Sequence, residues 1–117
     1  MMTVIEQITA VAVNLGWQVS TDRHKNVVEF NFQRYTAKGQ DFNVCIEMKD
    51  DNFDSFLHEL EQYYEGFDPD YEAYLWIGND GHGKNGAPYH IRDIVNDMEE
   101  AEKMIDNLYE TLKTTVQ

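Results

Sequence analysis

Two runs of strict alternation limit the fold more than any other feature. Val28, Phe30 and Phe32 alternate with Glu29, Asn31 and Gln33; after an AKGQ turn, Phe42, Val44, Ile46 and Met48 alternate with Asn43, Cys45 and Glu47. A period of two places all the apolar side chains of a strand on one face. The short connection makes the two strands antiparallel neighbours, so their sheet has one apolar and one polar face. A shorter alternation at Trp17, Val19 and Thr21, followed by a DRHKN turn, adds a third strand. The apolar face of such a meander needs a cover, and only helices can supply it here.

The helical patterns lie on either side. Thr3 and Glu6 form a capping box ahead of Val4, Ile5, Ile8, Val11, Ala12 and Leu15, with Gly16 as the stop. After the sheet, Asp51 or Asn52 caps a helix carrying Phe53, Phe56, Leu57, Leu60 and Tyr64 inward, and Gly66 ends it. Asp68 and Pro69 read as N-cap and first helical residue of a short helix through Tyr71–Ile77, stopped by Gly78. The aromatic run EAYLWI also suits a strand, and in either form Trp76 and Ile77 complete the core. The longest pattern follows the loop GNDGHGKNGAPYH: Ile91, Ile94 or Val95, Met98, Ala101, Ile105, Leu108 and Leu112 recur at near-heptad spacing. The expected architecture is a single α+β domain over residues 1–117. It has an N-terminal helix, a three-stranded antiparallel meander, and two or three helices packed on one face of the sheet, the last long and acidic.

Charge is distributed unevenly along this frame. The formal net charge is −13. Up to Ile46 four acids balance four bases, whereas the remainder sets eighteen acids against five bases. Asp93, Asp97 and Glu100 form one row on the last helix, and Glu99, Glu102, Asp106 and Glu110 form another. Like charges so spaced destabilise a helix by a few tenths of a kcal/mol, about 0.2–0.5 per pair, which argues for a functional acidic face. A field of this sign repels nucleic acid and anionic membrane and attracts basic protein surfaces. One cysteine, Cys45, excludes an internal disulfide framework. With no basic start or long apolar run, the expectation is a soluble cytoplasmic protein with no membrane partner.

Motifs for chemistry are weak. Gly78 through Lys84 fits the first seven places of a phosphate-binding loop, but Asn85 occupies the hydroxyl position and Pro88 prevents a helix from starting at the lysine. His82, His90 and Asp80 could surround a metal, without any recognised ligand spacing. Asp68, Asp70 and Glu72 resemble the start of a calcium loop, yet Ala73 stands where glycine is required. Serine nucleophiles are restricted to Ser20 and Ser55. The sequence therefore predicts no catalytic residue, no metal and no cofactor. The glycine-rich loop offers His82, Lys84, Asn85 and Tyr89 as partner contacts.

The segment from Tyr63 to Leu112, with YYEGFD, YLW and GHGKNGAP, resembles a group of short acidic proteins encoded on plasmids and conjugative elements of gut bacteria. The resemblance implies no particular activity. It implies a mobile-element setting, in which small acidic proteins often inhibit host defence nucleases.

Together these readings predict a non-enzymatic interaction domain. Its partner-binding residues are Asp93, Asp97, Glu99, Glu100, Glu102, Asp106 and Glu110, with His82, Lys84, Asn85 and Tyr89 from the loop. The sharper form is a DNA mimic of the antirestriction or anti-CRISPR kind, which fills the basic groove of a nucleic-acid-binding enzyme. Carboxylates four residues apart on a helix are about 6 Å apart along its axis, comparable with phosphate spacing. The alternatives are a small enzyme or metal-binding protein using the loop from His82 to His90, and a homodimer joined along the near-heptad helix.

Overall fold

The structure, a computed structural model, is described over residues 2–77 and 90–116. Its elements run α1 (Val4–Asn14), β1 (Gln18–His24), β2 (Val27–Tyr35), β3 (Asp41–Lys49), α2 (Phe53–Glu65), α3 (Pro69–Leu75) and α4 (Ile91–Thr115). The class is α+β, as the alternation and helical patterns require.

The strands form one antiparallel sheet in the order β1-β2-β3. Register places Phe30 opposite Ile46 and Phe32 opposite Val44, so the two alternating runs share one face. Phe30 and Phe32 stack with centroids 5.9 Å apart, and Phe56 of α2 meets both edge-on at 5.0 and 6.0 Å. Each of these rings is fully buried, worth about 1.5–3 kcal/mol per side chain in area removed from water. β1 is longer than its apolar pattern suggests: Asp22, Arg23 and His24, expected in a turn, pair with Glu29, Val28 and Val27. Only Lys25 and Asn26 remain to reverse the chain, with Lys25 at a φ of 58°. The polar composition of DRH hides a strand because one side of this sheet faces water.

The helices cover the apolar face. α1 packs on β1, α2 packs on β3, and α4 touches both α1 and α2, so it lies between them. α3 packs against α4. The capping box of α1 is formed, with the Glu6 amide donating to Thr3 Oγ1 at 3.1 Å and the Thr3 amide to Glu6 Oε1 at 3.0 Å. The cap of α2 is Asn52, which accepts from the Asp54 amide. EAYLWI is largely helical, because Asp68 caps α3 and Pro69 opens it. Trp76 and Ile77 are half-buried against the core.

The near-heptad stripe of α4 is consumed inside the molecule. Ile94, Met98, Ala101, Ile105, Leu108 and Leu112 are at most 1% exposed. A homodimer along this stripe would have to unpack the core. Ile91, expected on the same stripe, is exposed at 47%, and Tyr109 takes up core space that the heptad reading left open. Among the described residues, no helix is long and apolar enough to cross a membrane.

Candidate interaction surface

The acidic rows of α4 divide according to their angle from the buried stripe. Glu99, Glu100 and Glu110 are exposed, and Asp93, Glu102 and Asp106 are half-buried at the margins. Asp97 differs from the rest. Grouped with Asp93 and Glu100 by sequence, it is 1% exposed and turned inward. Its carboxylate accepts from Thr36 Oγ1 at 2.5 Å and from the Lys38 amide at 3.0 Å. Thr36 Oγ1 in turn accepts from the Gln40 amide at 3.0 Å, closing a polar network within the β2–β3 turn. Asp97 is therefore a fastener between that turn and α4, and the expectation that it contacts a partner is corrected. Burial of a charge is tolerated here because two donors converge on it.

The remaining α4 acids meet a second set contributed by α2. Tyr109 donates from its hydroxyl to Glu61 Oε2 at 2.5 Å, which bridges the two helices. That bond, followed by burial and the charges of Glu61, Glu110 and Glu65, pushes the Tyr109 hydroxyl up to about 12. Tyr64, on the facing side of α2, is raised chiefly by the charge of Asp106, then by burial, then by Glu102 and Glu110. Tyr109 therefore lies in a field made by carboxylates of both helices, and Tyr64 of α2 in one made by the carboxylates of α4. A cation is attracted to this seam: Lys113 Nζ lies 5.6 Å from the centroid of the Tyr109 ring.

Internal neutralisation is slight. Among the described residues, Lys103 pairs with Glu100 at 3.2 Å and Arg23 with Asp51 at 2.6 Å, and His24 Nε2 lies 2.9 Å from Asp22. No such partner is found there for Glu99, Glu102, Asp106, Glu110, Glu61 or Glu65. Exposed pairs of this kind stabilise by only about 0–1 kcal/mol, so the field persists. The open face of the sheet carries its own short acidic row, in which Asp22, Glu29 and Glu47 lie opposite one another across the three strands. Among the described residues, this row is smaller than the group of acids along α2 and α4.

Sequence reasoning missed Glu61, Glu65, Tyr64 and Tyr109 as members of this surface. The signal was present: Tyr109 follows Ile105 by four residues, and Glu61 and Glu65 share that spacing on α2. What sequence could not supply was the pairing of α2 with α4. His82, Lys84, Asn85 and Tyr89 lie outside the described residues, as do Gly78–Lys84 and Asp80. His90 is the N-cap of α4 and makes no side-chain capping bond. No group of three or more metal-ligating side chains occurs among the described residues. Cys45 is exposed on the open sheet face, with Sγ 3.2 Å from Asn31 Oδ1. Compared with family models, curated proteins and solved structures, the chain matches none.

Proposed function

We propose that this protein is a non-enzymatic acidic interaction domain whose α2–α4 seam engages a basic surface on another protein. The observation that carries the reading is the convergence of Glu61 and Glu65 with Glu102, Asp106 and Glu110 around Tyr64 and Tyr109, with little internal pairing. A fold gains nothing from bringing so many like charges together, since each close pair opposes helix packing. A positively charged counterpart makes the arrangement favourable and gives it long-range steering.

The sharper form is a cytoplasmic DNA mimic that fills the nucleic-acid groove of a defence nuclease. Glu99, Glu102, Asp106 and Glu110 follow one another along a single side of α4, and Glu61 and Glu65 of α2 act on Tyr109 of the same helix. A line of carboxylates on α4, with further carboxylates on the contacting helix α2, suits a basic groove shaped for a phosphate backbone. The test is a binding assay with purified DNA-cleaving defence enzymes, in which duplex DNA competes for the same site. The expected result is association that weakens steeply with salt, is displaced by DNA, and is abolished when Glu99, Glu102, Asp106 and Glu110 are changed to lysine. Binding unaffected by those four changes would remove the proposal.

A further inference from the structure

The second surface of interest is the outward side of α3. Tyr71, Tyr74 and Leu75 stand at i, i+3 and i+4 on this helix and are 60%, 69% and 46% exposed, whereas Ala73 on the opposite side is fully buried. Isolated exposed apolar residues are ordinary, but three on one face of a seven-residue helix form a patch. Its surroundings are acidic: Asp68 and Asp70 are exposed beside it, and Glu72 is on the same helix. From Asp50 to Gly83, a stretch containing all of α2 and α3, the chain has no lysine or arginine. No cation from its own helix or the preceding one therefore covers these rings.

Two largely exposed tyrosines on a helix that also carries carboxylates, with no lysine or arginine on α2 or α3, match one kind of side chain best. Guanidinium is planar and weakly hydrated, stacks on aromatic faces and presents several N–H donors at its edge. Ammonium is compact and strongly hydrated and gains less from such a site. We infer that the outward face of α3 receives arginine side chains of a basic protein partner, with Tyr71 and Tyr74 stacking guanidinium groups and Asp70 accepting their N–H donors. This rests on the acidic-surface reading and adds selectivity to it: the partner's contact with α3 is rich in arginine rather than lysine.

The test is calorimetric titration of the intact protein at low salt with an oligo-arginine and an oligo-lysine peptide of equal length. The oligo-arginine peptide should bind roughly fivefold tighter or more, the sum expected of two exposed cation–aromatic contacts. The double variant Tyr71→Leu/Tyr74→Leu should reduce that preference, while Tyr71→Phe/Tyr74→Phe should retain it, since phenylalanine keeps the ring face and loses only the hydroxyl. Both positions are exposed, so neither pair should disturb folding. Changing Glu99, Glu102 and Glu110 to Gln and Asp106 to Asn should weaken both peptides alike and leave their ratio unchanged. Equal binding of the two peptides, or a preference unaffected by the leucine variants, would overturn the assignment to α3 while leaving the acidic seam intact. Failure of both peptides to bind at all would overturn both.

Discussion

Replacing Asp97 separates its structural role from the partner-binding role that its row suggested. Its carboxylate holds the Thr36 hydroxyl at 2.5 Å and the Lys38 amide at 3.0 Å in a site 1% exposed. Hydrogen bonds to a charged acceptor contribute about 1.5–3 kcal/mol each, and a buried donor left unpaired costs about 1–3 kcal/mol. Against this stands the cost of desolvating the carboxylate, which the variant no longer bears. The balance for Asp97→Ala is a loss of about 3 kcal/mol, a large share of the roughly 5–15 kcal/mol typical of a domain. Asp97→Asn keeps one accepting oxygen but turns an N–H group toward a donor, and should fall between alanine and the parent. Urea unfolding followed by circular dichroism measures both. For a slope of about 2 kcal/mol per molar, the alanine variant should unfold about 1.5 M earlier with an unchanged slope. Thr36→Val should be non-additive with Asp97→Ala, because both remove the same bond. Asp93→Ala, a neighbour in the same sequence row, should change stability by about 0.5 kcal/mol or less. If Asp97→Ala were no more costly than Asp93→Ala, the assignment of Asp97 as a fastener would be wrong.

Four further outcomes are expected. Tyr63 and Tyr109 are both pushed up to about 12, Tyr63 mainly by burial and Tyr109 mainly by its bond to Glu61, so absorbance at alkaline pH should show tyrosines ionising well above the ordinary phenol value of 10. Because the folded form holds these protons more tightly than the unfolded form, their stabilisation is intact below pH 10 and is lost as pH rises toward 12, which alkaline unfolding would show. Thr3→Ala breaks the capping box and should cost about 1 kcal/mol in denaturant unfolding, with Thr3→Ser nearly silent. Gly16→Ala should cost about 1–2 kcal/mol, since Gly16 has a φ of 98° where an L side chain is strained; an unchanged melting temperature would count against that.

The legible parts of the sequence were those where one local period decides the answer. Phe30, Phe32, Val44 and Ile46 dictated a one-faced sheet, and Ile94 through Leu112 dictated a helix with its stripe inside. Capping chemistry at Thr3, Asn52 and Asp68 placed three helix starts. Errors came where tertiary contacts override a local rule. The segment DRH reads as a turn, yet the hydrogen bonds of β2 recruit it into a strand. Asp97 reads as an outward acid, yet a turn some sixty residues earlier in the chain supplies the donors that draw it inward. The surface was half legible for the same reason. A helical wheel showed the α4 acids, but only the packing of α2 beside α4 brings Glu61 and Glu65 to them.

The central claim is that the carboxylates of α2 and α4 act as one surface for a basic partner. Amide chemical-shift mapping with an oligo-lysine peptide tests it most directly, since each backbone position reports separately. Perturbations should gather on α2 around Glu61 and Glu65 and on α4 from Glu99 to Glu110, and should fade as salt is raised. Perturbations spread evenly over the molecule, or centred on the Asp22–Glu29–Glu47 row of the open sheet, would contradict it.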